Sequence, residues 1–166
     1  MIWRLKIGTW RFTLSFAQVT DVVGVNSKLS DGNHLLMWDF DDVPLYKIKR
    51  ELGKVRSIYD LPKIYLFNTG APRHWMAYCF KRVTWRLWKE IVAFTKHVDP
   101  QYYKFSVYRD HGTLRVSQKC GREIKRKLVI PSPQPNDVTM DELESWVKYE
   151  TLTDLSPEGI KELVVI

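Results

Sequence analysis

The sequence predicts one globular domain in which strands and helices are mixed. A length of 166 residues is typical of a single domain. Apolar residues form 45% of the chain and aromatic residues 13%, which is enough for one core and argues against intrinsic disorder. Short apolar runs bounded by turn residues predict strands, and segments whose apolar residues recur at helical spacing predict helices between them.

The first half of the chain predicts strands around one helix. Residues 1–25 alternate apolar and polar side chains, as strands do. Residues 34–38 are a short apolar run that predicts a buried strand with acidic residues at its end. A proline opens the helix predicted over residues 44–56. Residues 64–67 predict a second buried strand that stops at a turn.

The second half of the chain predicts a strand, a helix and a hairpin. Residues 75–80 predict a third apolar strand, and residues 84–96 predict an amphipathic helix with Trp85 and Trp88 on its apolar side. Residues 103–108 and 113–117 are predicted to pair as a hairpin, because turn residues lie between them.

The composition changes after residue 130. Prolines at positions 131, 133 and 135 predict an extended linker. Thr139 and Glu142 have the spacing of a capping box, which predicts the start of a helix. The predicted organisation is therefore a domain over residues 1–130, followed by a Pro-rich linker and a short acidic helical appendage over residues 131–166.

Three features bear on the compartment. No run of about 18 apolar residues is present, so no membrane-spanning helix and no membrane partner are expected. Charged residues at the N-terminus argue against a signal peptide. Cys79 and Cys120 are too few for a disulfide framework or a Cys-rich zinc site, so we expect free thiols and a cytoplasmic protein.

Positive charge is concentrated in the middle of the chain. The net charge is +7, but residues 73–127 hold 14 basic and 4 acidic residues, whereas residues 128–166 hold 2 and 8. Such a field attracts polyanions, of which nucleic acid is the commonest in the cytoplasm. The alternative is a solvated basic face with no partner.

The first polar cluster that could carry chemistry is the pair Asp39 and Asp41. Residues two apart in a strand share a face, so both carboxylates would point the same way. Mg²⁺ and Mn²⁺ prefer such oxygen ligands, and a carboxylate pair can hold two metals for phosphoryl transfer. The alternative is a solvated acidic turn.

Two further clusters suit an anionic ligand. In residues 69–74, a turn of small residues brings backbone N–H groups forward, and Arg73 and His74 add side-chain donors. Arg115 and Lys119 lie on or beside the strand predicted at 113–117, where cations near carboxylates suit a metal-bound triphosphate. The alternatives are an ordinary hairpin loop and a cross-strand salt-bridge network.

Taken in order, these clusters resemble the archaeo-eukaryotic primase superfamily, the primase-polymerases. That family has a strand-borne acidic pair, then a small-residue turn ending in His, then an isolated Asp after an apolar residue. The corresponding residues here are Asp39 and Asp41, Thr69-Gly70 with His74, and Val98-Asp99. The run Leu-Arg-Val-Ser-Gln-Lys at 114–119 also resembles the basic strand of small members, and the resemblance covers residues 34–120.

The resemblance implies an α+β fold, with a primase-polymerase catalytic core whose mixed or antiparallel sheet is of the RNA-recognition type and is flanked by helices. It implies a nucleotidyltransferase that adds nucleotides to a 3′-hydroxyl and releases pyrophosphate, with residues 1–130 as the catalytic domain. Nucleoside triphosphates, a single-stranded DNA or RNA template, and a replication helicase or larger assembly are the implied partners of such a compact plasmid- or virus-type member.

The resemblance also implies residue roles. Asp39, Asp41 and Asp99 would ligate two Mg²⁺ or Mn²⁺ ions. The implied nucleotide-binding residues are those of the turn and the basic strand: Thr69, Gly70, Arg73, His74, Arg115 and Lys119. His74 would contact the phosphates of the incoming nucleotide, and Arg115 and Lys119 would neutralise the triphosphate.

Some alternatives stay open. Pro72 stands where the family often has a second glycine, which removes one backbone N–H donor. Asp110 is an alternative third carboxylate to Asp99. The chain could instead be a non-catalytic module that binds single-stranded nucleic acid through basic and aromatic residues, or a nuclease that uses the same carboxylates.

Overall fold

The computed structural model describes residues 2–15, 19–119, 121–143, 145–152 and 160–162. Residues 16–18 of the first predicted strand segment, and Cys120, lie outside this part. The elements are β1 (Ile2–Ile7), β2 (Trp10–Ser15), β3 (Val19–Asn26), β4 (His34–Phe40), α1 (Leu45–Ile58), β5 (Ile64–Asn68), β6 (Trp75–Val83), α2 (Trp85–Phe94), α3 (Pro100–Arg109), β7 (Thr113–Arg115), β8 (Lys125–Ile130), a 3-10 turn (Met140–Glu142), β9 (Trp146–Leu152) and β10 (Ile160–Glu162).

The strands form three sheets, and the fold is α+β. The sheets have the orders β10-β1-β2, β7-β3-β9 and β4-β6-β5-β8. Strand pairs are antiparallel except for β1 with β10, which is parallel. The strands predicted at 34–38, 64–67 and 75–80, and the helices predicted at 44–56 and 84–96, are confirmed within a few residues at their ends.

The four-stranded sheet separates the main core from the candidate site. Trp38 lies opposite Ala77, and Ala77 lies opposite Leu66; all three are fully buried. The Trp38 indole donates to Thr95 Oγ1 at 3.0 Å, just after α2, so this face packs on the helices. Because neighbouring residues of a strand point to opposite faces, Asp39 points away from that helical layer.

The predicted hairpin over residues 103–117 is wrong in its first strand. Residues 100–109 form helix α3, whose start is capped by Asp99 and whose first residue is Pro100. The Tyr, Phe and Val residues of this segment favour strands, but Tyr102 and Ser106 lie four apart and are both buried, which fits a helix packed on the core. The strand at 113–117 is shortened to β7.

The predicted acidic helix after Thr139 is also wrong. The Thr139 N–H does donate to Glu142 Oε1 at 2.9 Å, as a capping box requires, but only a single 3-10 turn follows. Residues 146–152 then form β9, which pairs along its full length with β3. A tertiary partner thus overrides the local helix signal.

The structure also bears on the predictions about the thiols and about membrane-spanning helices. Cys79 is a free thiol, and burial raises its pKa, so the thiol stays protonated at neutral pH. None of the described helices is long and apolar enough to cross a membrane.

His34 is buried at the start of β4, with only 3% of its surface exposed. Its Nδ1 lies 3.0 Å from the Ser27 hydroxyl, and that oxygen already accepts the Gly112 N–H at 2.9 Å. The hydroxyl hydrogen can therefore be donated to a neutral imidazole. Burial, and next the charge of Lys28, lower the pKa of His34 to about 4.

We expect this histidine to make the protein acid-sensitive. An unfolded histidine takes up a proton near pH 6.5, whereas the folded one does not until about pH 4, so its stabilising effect is complete above pH 6.5 and is lost as the pH falls towards 4. From pH 7 to pH 5, the unfolding free energy measured by denaturant titration should change by about 2 kcal/mol less favourably in the wild type than in His34→Phe, because groups that titrate in both proteins cancel in this difference. An equal change in both proteins would contradict this assignment.

Candidate active site

Carboxylates and cations meet in one open cavity of about 290 Å³ beside the end of β4. Its walls come from the end of β4, the β5–β6 turn, β7 and the loop that follows β7. The lining residues are Asp39, Asp41, Thr69, Ala71, His74, Met76, Thr113, Leu114, Arg115, Lys119 and Arg122. Six of the nine residues singled out in the sequence therefore line a single cavity.

Asp39 is the inner carboxylate of this cavity. It lies on β4 opposite Met76, on the sheet face that points away from α2. Burial, then the nearby carboxylates of Asp41 and Asp99, raise the pKa of Asp39 to about 7. Burial and the repulsion between carboxylates thus both disfavour the charged form of Asp39, and a cation bound beside it would oppose both effects.

Asp41 and His74 form the outer part of the site. His74 Nδ1 lies 2.7 Å from Asp41 Oδ1, and both side chains are partly exposed. The pair joins the residue just after β4 to the residue just before β6, which are neighbouring strands. This bond fixes the orientation of the imidazole ring, and Nε2 is the ring atom that could donate to an anion in the cavity.

Asp99 is close to Asp39, but its carboxylate caps the start of helix α3. Its N–H donates to the Asp39 carbonyl at 2.9 Å, and its two carboxylate oxygens accept the N–H groups of Gln101 and Tyr102 at 3.0 Å. It lines, together with Asp39, a smaller cavity of about 230 Å³ near the start of α3. Asp110 lines neither cavity and ends α3 in the left-handed conformation, so Asp99 is the better placed of the two alternatives.

Arg73 is not brought into the cavity. Its Nε lies 3.1 Å from Asp42 Oδ1, and its Nη2 donates to the Asp42 carbonyl at 3.0 Å. Both side chains are exposed. The sequence places Arg73 beside His74, but the backbone at Arg73 is left-handed, with φ of 61°, and Arg73 pairs with Asp42 whereas His74 pairs with Asp41.

Arg115 ties the walls of the cavity together. Its guanidinium donates to the carbonyls of Thr69 at 2.5 Å, Ser117 at 3.1 Å and Arg122 at 3.3 Å. These carbonyls belong to the β5–β6 turn and to the loop after β7. The role that this geometry supports for Arg115 is positioning, and Lys119 and Arg122 are the other cations of the cavity.

Arg122 was missed by the sequence analysis. It bridges to Lys119 through paired backbone hydrogen bonds, with Arg122 N to Lys119 O at 2.9 Å and Lys119 N to Arg122 O at 3.2 Å. Basic residues three apart around a glycine are the signal that could have found it, because a tight turn brings both to the same side.

Gly70 fixes the approach of this loop to the β5–β6 turn. Its φ is +84°, and an added Cβ would lie 2.8 Å from Arg122 Cβ and 2.9 Å from the Glu123 carbonyl oxygen. Gly70 lines a neighbouring cavity with Arg122 and does not line the one that holds Asp39. Its contribution to the site is therefore close backbone packing.

We expect Gly70→Ala to lower the unfolding free energy by about 2 kcal/mol, because strain at a left-handed position adds to a steric clash. Thermal denaturation measures this loss. Gly53→Ala is the matched control: Gly53 lies within α1 with nothing near its Cβ position, so alanine there should stabilise the protein by about 0.5–1 kcal/mol. Equal effects of the two substitutions would rule out the close approach at Gly70.

The donor set fits a divalent cation that is shared with a substrate. Among the described residues, no group of three or more His, Cys, Asp or Glu side chains is arranged to hold a metal ion. Mg²⁺, however, is commonly held by one or two carboxylates together with water and substrate phosphates. Asp39 and Asp41 line the cavity as such a pair, with Lys119 and Arg122 on its other walls.

Comparison with known proteins gives no further guide. No family model, no curated protein and no solved structure matches this chain.

Proposed function

We propose that this protein is a primase-polymerase-like nucleotidyltransferase. The observation that carries the proposal is the single cavity in which Asp39, Asp41 and His74 face Lys119 and Arg122. Carboxylates that can hold metal ions, beside cations that can neutralise phosphates, suit a triphosphate with its metal ions. The α+β fold with a largely antiparallel sheet is compatible with a primase-polymerase core.

In the proposed reaction, a 3′-hydroxyl attacks the α-phosphorus of a nucleoside triphosphate and pyrophosphate leaves. Asp39 and Asp41 would hold Mg²⁺ or Mn²⁺, which supplies charge neutralisation at the phosphates and activation of the hydroxyl. His74 would donate to a phosphate oxygen while Asp41 orients its ring. Lys119 and Arg122 would neutralise the triphosphate, and Arg115 would hold the cavity walls in place.

The charge of the chain supports a nucleic-acid template. Lys125, Arg126 and Lys127 are exposed on β8, next to the loop that carries Arg122. Part of the basic segment is instead neutralised by the acidic C-terminal segment, since Lys81 Nζ lies 2.9 Å from Asp137 and Arg82 pairs with Glu142. Arg82 also pairs with Asp31, from the loop before β4. The proposal therefore includes a single-stranded DNA template. We further propose that the protein works in the cytoplasm with a replication helicase or within a larger assembly.

A template-extension assay tests the proposal. Purified protein is incubated with a labelled primer, an unprimed single-stranded template, all nucleotides and Mn²⁺ or Mg²⁺. Longer or new products that depend on metal are expected. Shortened primer would replace the proposal by a nuclease that uses the same carboxylates. Salt-dependent template binding without any product would replace it by a binding module.

A further inference from the structure

A second cavity, of about 270 Å³, lies beside the carboxylate cavity and has a different lining. Its walls are mainly aromatic and aliphatic, and the principal ones are Phe67, Tyr78, Phe80, Ile124, Met140 and Trp146. The 3-10 turn and β9 form one side and the four-stranded sheet forms the other. Trp146 is 49% exposed and Met140 59%, so the cavity is open to solvent.

The two cavities are neighbours along strand β6. Met76 lines the first and Tyr78 the second, and residues two apart on a strand share a face at a spacing of roughly 7 Å. Arg115 lines both cavities. A chain molecule whose charged part lies in the first cavity could therefore reach the second.

The polar atoms of this lining are already bonded within the protein. The Tyr78 hydroxyl donates to the Arg115 carbonyl at 3.3 Å, and the Trp146 indole donates to the Leu143 carbonyl at 2.5 Å. The Arg115 guanidinium binds backbone carbonyls. The cavity thus offers mainly aromatic and aliphatic contact, which suits a planar ring.

We propose that this cavity takes one unpaired base of the template strand. The inference rests on the proposed function, because it assumes that nucleic acid occupies the first cavity. The base of a reacting nucleotide is recognised through hydrogen bonds along its base-pairing edge. The lining of the second cavity is mainly apolar and does not suit such an edge. An unpaired base needs only a stacking surface, so binding here is tolerant of sequence.

The test compares two single-stranded oligonucleotides of equal length and charge, oligo-dT and an abasic deoxyribose-phosphate strand. Fluorescence anisotropy should show oligo-dT binding about 5- to 100-fold more tightly to the wild type. Phe80→Ala and Trp146→Ala should each lower this ratio several-fold while abasic binding is kept. Tyr108→Ala, an aromatic that is 86% exposed on α3 and outside the cavity, is the matched control and should leave the ratio unchanged.

The outcomes separate this inference from the proposed function. A ratio near one in the wild type, or a ratio that both cavity variants leave intact, overturns the base pocket even where primers are extended. A base-dependent ratio that falls in the cavity variants supports the pocket even where no extension occurs, and it then assigns the protein to single-strand binding. Phe80→Leu keeps the apolar packing, so a loss of the ratio there is not a loss of folding.

Discussion

Replacing Asp41 with asparagine is expected to lower primer extension by about 1,000-fold or more and to leave thermal stability unchanged. Asp41 is exposed, so removing its charge costs the fold little. A carboxylate that holds a catalytic metal contributes several kcal/mol to the transition state, and each 1.36 kcal/mol is a factor of ten in rate. Single-turnover extension with saturating Mn²⁺ gives the rate, and thermal unfolding gives the stability.

Asp42→Asn is the matched control for this experiment. Asp42 is the next residue and is also exposed, but it pairs with Arg73 and lies outside the cavity. Its backbone is left-handed, with φ of 55°, a conformation that asparagine tolerates as well as aspartate does. Extension should stay within a few-fold of wild type in Asp42→Asn. Comparable losses in both variants would point to general electrostatics rather than to a metal ligand at Asp41.

Gly112→Ala is expected to be the most destabilising single methyl addition in the described chain. The new Cβ would lie 2.6 Å from Tyr102 Oη and 2.7 Å from Trp88 Cζ2, and both rings are buried. The backbone cannot move freely, because the Gly112 N–H and carbonyl both bond to Ser27. Overpacking of this kind costs about 3 kcal/mol, or a fall of about 6–12 °C in Tm.

A double-mutant cycle identifies the cause. Tyr102→Phe removes the hydroxyl that would clash, although it also removes the bond from that hydroxyl to the Met37 carbonyl. If the clash dominates, Gly112→Ala should cost clearly less in the Tyr102→Phe background than in the wild type. Strict additivity would show that the Tyr102 hydroxyl is not the obstacle and would leave only the Trp88 ring.

The parts of the fold that the sequence predicts correctly are those where local pattern and burial agree. Residues 35–38 are all apolar and are buried in β4, and the apolar residues of α1 recur at helical spacing. The prediction for residues 103–108 is wrong because their strand-favouring side chains follow Asp99 and Pro100. These two residues start a helix, which continues through the segment. The helix predicted after Thr139 is wrong because residues 146–152 form β9 by pairing with β3, which lies over 100 residues earlier in the chain.

The candidate site also has features that the sequence predicts and features that only the tertiary structure reveals. The spacing of Asp39 and Asp41 predicts a shared face, and the structure has both in one cavity with His74. The outward turn of Arg73 depends on a left-handed backbone, and the backbone contacts of Arg115 depend on how three segments meet; neither has a local signal. Side-chain type indicates which chemistry is available, and tertiary packing decides which residue carries it out.

The position of β3 between β7 and β9 has a consequence for biosynthesis. Gly24 is paired with Arg115 on one side and with Val147 on the other, so the strand gains its second neighbour only when residues near 150 have been translated. At about 5–20 residues per second, that interval lasts roughly ten seconds. An unpaired strand edge during that time can pair with another nascent chain. We therefore expect protection of β3 to affect the yield of folded protein, whereas β4, β5 and β6 have one another as partners once residue 83 has been made.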